Sequence, residues 1–397
     1  MSDGISLGPR IRALRLAHGL TQAELARRAN LSEDLVSRLE RGSRQTARLT
    51  TIMALAAALD EDPGTLTGKG NRVERVGDSG VVDVRNAISS PELLPGMDAD
   101  ESGEPSDSAQ LWRAVERAYG AYFAGEFGVL ASTLPGLLSE CRITRAALGS
   151  TAVAAAYAHV YQLAACLMVH TGRDDAALLG ATRGIAVADE GDDEYRAASL
   201  RGTYAWVLLH MGRNREAERL SATAAASIEP SMSCTNPKQL TAWGGLMLHA
   251  AVTAGADARG DDASEYLSLA RAGARQRDRD RHDYWVSFGP SQTAIQEAHV
   301  YVALDEPARA LDASREVHRE DLYRISWARH RLNDAHALVQ RRKVDEAVNV
   351  ASEAYSISPE WFRHQKFAAS IVTDLVARKS RLPEPLQVMA SSVASSE

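Results

Sequence analysis

Residues 7–66 read LGPRIRALRLAHGLTQAELARRANLSEDLVSRLERGSRQTARLTTIMALAAALDEDPGTL, and the spacing of capping and apolar residues within them divides the stretch into five short helices. Thr21 is a favourable N-cap, and Glu24 stands three residues on, as a capping box requires. Leu25, Ala26 and Ala29 form an apolar stripe that ends at Asn30. Asn30-Leu31 makes a tight turn, Ser32 caps the next helix, and Leu35, Val36 and Leu39 face inward until Gly42 stops it. Glu33, Asp34, Ser37, Arg38 and Arg41 are left on the outer face of that second helix.

The segment LTQAELARRANLSEDLVSRLERG, residues 20–42, resembles the Xre/Cro/λ-repressor-like helix-turn-helix family, and the likeness extends over residues 7–66. It implies that the second helix lies in the major groove of DNA with its N-terminal side chains on base edges. The resemblance implies a DNA contact for Gln22, which opens the motif's first helix. It implies base reading for Glu33 and Asp34, next to the cap Ser32, and for Ser37 and Arg38 one turn later. Arg41, Arg44 and Arg48 would then hold phosphates through their planar fork of donors. Two acids at reading positions depart from the usual Gln, Ser, Arg or Thr; they either accept from cytosine N4 or only complement the helix dipole. The plain alternative for the whole segment is a small helical domain that binds protein.

Charge agrees with a nucleic-acid-facing head. Nine basic residues stand against four acidic ones between Arg10 and Arg48, although the whole 397-residue chain carries a net charge of −7. Electrostatic affinity for DNA would therefore come from the head alone. With 45% hydrophobic and only 6% aromatic residues, helices are favoured over sheet. Arg far outnumbers Lys, which fits a high-GC bacterium, with an actinobacterial relative expected. Cys141, Cys166 and Cys234 are isolated and lack CxxC or Cys/His spacing, so neither a disulfide framework nor a zinc site is read, and the compartment is reducing. No N-terminal apolar segment of a signal peptide and no run of 18 apolar residues is present, so the reading is cytoplasmic, with no membrane partner.

After a head spanning 1–67, residues 68–108 are rich in Gly, Pro, Ser, Asp and Glu and read as a linker, within which VVDVRNAI is a candidate strand or helix packed on the next domain. Residues 109–381 carry an internal repeat. A small-residue helix runs into a Gly or polar turn, and a second helix follows, with turns near Gly125, Gly172, Gly212, Gly260, Asp305 and Arg342 at intervals of 47, 40, 48, 45 and 37 residues. Such a period means stacked helix pairs. The turns of GRNREAERL and RKVDEAV resemble those of tetratricopeptide repeats, though the intervals exceed 34 and most of the first-helix signature is missing. The fold class is thus all-α: a five-helix λ-repressor-like head followed by a tetratricopeptide-like α-solenoid. EWFRHQKFAASIVTDLVARKS is expected as one capping helix, and residues 382–397 as a flexible tail.

Counting back from each turn places a set of polar residues on the first helix of each pair, facing the inner surface of the solenoid. His159, Gln162 and Cys166 come from one pair, Ser199 and Trp206 from the next; Gln292, Gln296 and His299 follow, then Arg329, Asn333 and His336. Amide, imidazole and guanidinium groups converging on a groove suit a peptide or small-molecule effector. For any single residue among them, a wet surface or a core histidine is the competing reading. RQRDRDRHDYW, residues 275–285, reads as a solvated helix end or loop, with a contact surface as the alternative.

No HExxH, GxGxxG, P-loop or GxSxG is present, so neither an enzyme nor a cofactor is expected. Head, linker and repeat body together are similar in architecture to the RRNPP group of effector-responsive regulators. That resemblance implies a homodimer built by the repeat domain, with an effector that changes the separation of the heads; because one small head contacts only a few base pairs, an inverted-repeat operator is expected. Two other classes stay open: a regulator controlled by a partner protein docking on the repeats, and a repeat-based enzyme modulator.

Overall fold

Apolar periodicity of helical type runs through nearly the whole chain, and the computed structural model, which describes residues 7–43, 47, 49–59, 66, 79–91, 105–231 and 236–394, is all-α apart from one short hairpin among the described residues. The head contributes α1 (Leu7–Ala17), α2 (Gln22–Arg28), α3 (Glu33–Glu40) and α4 (Leu49–Ala58); the fifth helix expected there falls largely outside the described residues. The body follows as α5 (Ser79–Ile88), α6 (Ser108–Ala124), α7 (Phe127–Leu148), α8 (Ser150–His170), α9 (Asp174–Ala188), α10 (Glu194–His210), α11 (Asn214–Ser227), α12 (Pro237–Ala256) and α13 (Gly260–Ala274). Next come β1 (Arg281–Asp283), β2 (Val286–Phe288), α14 (Pro290–Ala303), α15 (Pro307–Ser314) and α16 (Arg324–Gln340). The chain closes with α17 (Val344–Ile357), α18 (Pro359–Arg363), α19 (Lys366–Ala377) and α20 (Glu384–Ala394).

These elements divide into two units, one of residues 76–333 and one of residues 1–75 with 334–397. In the larger unit, helix pairs pack in succession, α8 on α9, α10 on α11, α12 on α13 and α14 on α15. A left-handed residue closes the first helix of every pair in the chain: Gly125, Gly172, Gly212, Ala258, Asp305 and Arg342. The fourth turn therefore pivots on Ala258, two residues before the expected Gly260. Within the stretch read as linker, α5 is a helix whose Val81, Val84 and Ile88 are buried, and it packs on α7. The 3–4 spacing of those apolar residues supplies the stripe that docks it. The helix Ser150–His170 is long and apolar enough to cross a membrane, but most of it is buried inside this unit as a core helix.

The smaller unit joins the head to the last helices of the chain. Ile11, Leu25, Val36, Leu39, Leu55 and Leu66 form the head's core, and Leu7 and Ala394 pack against it. Gly8 lets α1 approach α3, since a Cβ there would meet the Leu39 carbonyl oxygen at 2.1 Å. Helices α19 and α20 both contact α1. Two expectations at the C-terminal end are corrected. The single capping helix is two, because Ser358 caps a new turn at Trp361 and the chain bends after Arg363 to bury both Trp361 and Phe362. The expected tail from 382 is helical over Glu384–Ala394, where Leu386, Met389 and Ala390 recur at helical spacing and are buried.

Candidate functional site

The motif of α2 and α3 is built by its caps. Thr21 Oγ1 accepts from the Glu24 N–H at 3.2 Å, and Glu24 Oε2 accepts from the Thr21 N–H at 2.8 Å, completing the capping box. Asn30 adopts a left-handed conformation in the turn, Ser32 caps α3 by accepting from the Leu35 N–H at 3.3 Å, and Gly42 takes φ 71° just beyond its end. Val36 and Leu39 are fully buried, which leaves Glu33, Asp34, Arg38 and Arg41 exposed and Ser37 partly so.

Beneath this face lies a buried ion pair that no local pattern announces. Arg15 Nε and Nη2 donate to the two Glu40 carboxylate oxygens at 2.6 and 2.9 Å, and Arg15 Nη1 donates to the Leu20 carbonyl at 2.7 Å. Gln22 Nε2 donates to Glu40 Oε2 at 2.7 Å, so the residue assigned a DNA contact is held by the last residue of α3. Arg38 pairs with Asp34 one turn back, both more than half exposed. Pairs of that kind are worth about 0–1 kcal/mol, so Arg38 can be released at little cost. Arg41 Nε donates to the Ser37 carbonyl at 3.3 Å. Arg44 and Arg48 lie outside the described residues.

In the larger unit the first helices of successive pairs surround a cavity of about 210 Å³. Of the residues assigned to the inner face, Gln162, Cys166, Trp206, Gln292, Gln296 and Arg329 line it. Arg329 has no carboxylate within ion-pair distance among the described residues, and neither Asp nor Glu is found in the lining. Gln292 donates its backbone N–H to Asp280 Oδ2 at 2.8 Å, while its side-chain Oε1 is buried without a hydrogen-bond partner. Gln162 is fixed from both sides: its Oε1 accepts from the Tyr119 hydroxyl at 2.9 Å and its Nε2 donates to Thr203 Oγ1 at 2.9 Å.

Five assigned residues do not reach the lining. His159 is buried behind Gln162: its Nδ1 is 2.8 Å from Gln162 Oε1, and Arg196 Nε donates to its Nε2 at 3.3 Å, which puts the ring proton on Nδ1. Burial, first of all, lowers its pKa to about 4. His299 Nδ1 bonds to Asn333 Oδ1 at 3.0 Å, and Asn333 is buried. His336 belongs to the smaller unit, where its ring packs at a tilt against Phe367, 5.2 Å between centroids. Ser199 is likewise buried and spends its hydroxyl on the Tyr195 carbonyl at 2.8 Å. Each of these is a buried or half-buried polar residue whose partner is a neighbouring side chain or backbone group.

The cavity's aromatic wall escaped the sequence reading. Tyr119, Tyr122 and Phe123 come from α6, and Trp285 comes from the charged run read as solvated. That run forms an antiparallel hairpin, Arg281 opposite Phe288 and Asp283 opposite Val286. Its two turn residues, Tyr284 and Trp285, have φ of 54° and 61°, a conformation costly for any side chain with a Cβ. Three contacts hold the turn there. Trp285 stacks on Tyr119 at 3.9 Å and 4°, the Tyr284 hydroxyl donates to both Asp193 carboxylate oxygens at 2.9 Å, and Phe288 is buried against the bare backbone of Gly244. His249 also lines the cavity, and burial, helped by the Arg329 charge, lowers its pKa to about 4. Burial pushes the Cys166 thiol up to about 12, which disfavours the thiolate.

Residues 11–66 match the helix-turn-helix family profile, and the N-terminal part of the chain is a helix-turn-helix domain. No curated protein matches the chain. Among solved structures it is similar to the crystal structure of Bacillus thuringiensis PlcR in complex with the peptide PapR7 and DNA, at 13% identity and a TM-score of 0.37, over 90% of this chain and 96% of that one. A likeness that loose transfers no residue roles.

Proposed function

We propose that this chain is a sequence-specific DNA-binding transcriptional regulator whose repeat domain senses an effector. The observation that carries the reading is the outer face of α3, exposed from Glu33 to Arg41 on a capped helix-turn-helix whose inner face is fully packed. In this reading Arg38 leaves Asp34 to meet a base edge, Gln22 approaches DNA from its anchor on Glu40, and Arg41 holds a phosphate. Arg44 and Arg48 are proposed as further phosphate contacts on sequence grounds. One small head spans few base pairs, so useful affinity needs a homodimer on an inverted repeat, with half-site centres about one helical turn, or a multiple of it, apart.

The effector site proposed is the cavity of the larger unit, with Gln162, Trp206, Gln292, Gln296 and Arg329 as its contacts. An effector can shift DNA binding only through different affinities for two shapes of the protein, a coupling typically worth about 1–3 kcal/mol. The test is recovery of genomic DNA fragments on the purified chain, followed by sequencing and footprinting. A shared inverted-repeat motif, lost with Arg38→Ala, supports the reading. Recovery of random fragments, or a motif unchanged by Arg38→Ala, refutes it.

A further inference from the structure

From the lining of the cavity we infer that it takes a small, planar aromatic monocarboxylate that carries a hydroxyl group. This deepens the proposal that the cavity is the effector site, and rests on it. Charge comes first. Arg329 stands in the lining with no acidic residue beside it and no ion pair or hydrogen bond among the described residues, and a desolvated guanidinium lacking a counter-charge is unfavourable. A ligand carboxylate matches its planar fork with two parallel hydrogen bonds. One guanidinium balances one negative charge, whereas a phosphate monoester at about −1.5 to −2 would remain under-neutralised.

The shape of the walls selects a flat ligand. Tyr119 and Trp285 stack face to face in the wall, Trp206 adds another ring, and a strained turn holds Trp285 in place. Aromatic rings favour offset stacking or edge contacts with a further ring. Gln292 lines the cavity while its Oε1 is buried and accepts no hydrogen bond, and a turn of that amide toward the cavity lets it accept from a ligand hydroxyl. Size sets the upper limit. A cavity of about 210 Å³ is smaller than the roughly 300–1,000 Å³ that holds a drug-sized molecule, which suits a single substituted ring.

The experiment is calorimetric titration of the full chain, with tryptophan fluorescence in parallel, against 2-, 3- and 4-hydroxybenzoate, their methyl esters, benzoate and phenyl phosphate. The best hydroxybenzoate is expected to bind at least about tenfold more tightly than its own ester, and more tightly than benzoate or phenyl phosphate. Arg329→Gln should erase the difference between acid and ester, and Gln292→Leu the difference between hydroxybenzoate and benzoate. The inference is overturned if acid and ester bind wild type equally, if phenyl phosphate binds best, or if no hydroxybenzoate binds at about 10 mM. The acid and ester comparison uses the unaltered protein and so survives a variant that does not fold. DNA binding measured on the same samples separates the two levels. Hydroxybenzoate that binds without moving DNA affinity supports the ligand class and counts against the regulatory reading. Another compound that moves DNA affinity while the hydroxybenzoates fail to bind does the reverse.

Discussion

Glu40→Ala is the sharpest perturbation of the DNA-binding head, because three side-chain hydrogen bonds end on one carboxylate. Arg15 delivers two and Gln22 the third, at 2.6, 2.9 and 2.7 Å, and the Arg15 and Glu40 side chains are only 9% and 2% exposed. Removing the carboxylate strands the guanidinium in the core with the Leu20 carbonyl as its remaining partner. Breaking a buried pair from one side costs about 3–5 kcal/mol, against about 0–1 for an exposed pair such as Asp34 and Arg38. A small domain has about 5–15 kcal/mol of total stability, so the head should open far more often. Native-state hydrogen exchange reads this directly: the slowest amides of α1 and α3 should lose protection by roughly a hundredfold or more, with those of the larger unit unchanged. DNA affinity should fall as well, since Gln22 loses its anchor. The double variant Arg15→Met with Glu40→Leu should recover most of the protection, because an apolar pair of similar volume leaves no stranded charge. A loss under about 1 kcal/mol in Glu40→Ala, or a double variant no better than the single, would refute the account of this pair as the clamp of the head.

Arg38→Ala should relax base preference at one position per half-site at a cost of about 1–3 kcal/mol, whereas Arg41→Ala should weaken all sequences alike and lessen the salt dependence; selection from random DNA at two salt concentrations distinguishes them. At the hairpin turn, Trp285→Gly and Trp285→Ala both lose the stack on Tyr119, but only glycine relieves the φ of 61°, so the Gly variant should be the more stable by about 1 kcal/mol in denaturant unfolding, and an Ala variant of equal stability would contradict strain in the turn. His249 is neutral in the folded chain down to about pH 4, while the unfolded imidazole takes up a proton near 6.5, so its contribution is intact above about 6.5 and is lost as pH falls toward 4. Asp280, raised to about 6 by burial, works in the opposite direction between its ordinary value of 3.8 and 6. His249→Gln should therefore lose less stability than wild type on acidification from pH 6.5 to 4, and parallel melting curves for the two across that range would exclude the histidine.

The turns of the repeat are legible because a helix hairpin needs a residue that tolerates the left-handed conformation, and Gly125, Gly172 and Gly212 announce it; Ala258 hides it, so the sequence points to Gly260 instead. Gln162, Trp206, Gln292, Gln296 and Arg329 could be placed on the cavity because helical periodicity counted back from a turn fixes which side faces inward. The same count could not separate them from His159 or the His299 and Asn333 pair, since facing inward and reaching a cavity differ by about one layer of packing. Trp285 was missed because its neighbours are charged; its position depends on Gly244 and Tyr119, far away in sequence. Arg15 and Glu40, 25 residues apart on different helices, share no periodic relation at all.

The contact of α1 with α19 and α20 sets an order of events during synthesis. The core of the head contains Ile11, Leu25, Val36, Leu39, Leu55 and Leu66, all complete once residue 66 has left the ribosome, so this domain can fold while the body is still being made. The strip of α1 around Pro9, Ala13 and Leu14, however, faces Val372, Val376 and Ala390, which are translated almost a whole chain later. Throughout that interval the nascent head carries a bare apolar ridge. A product that stops before residue 366 keeps that ridge permanently, which makes it a candidate for chaperone capture and self-association even though its DNA-reading helix is intact.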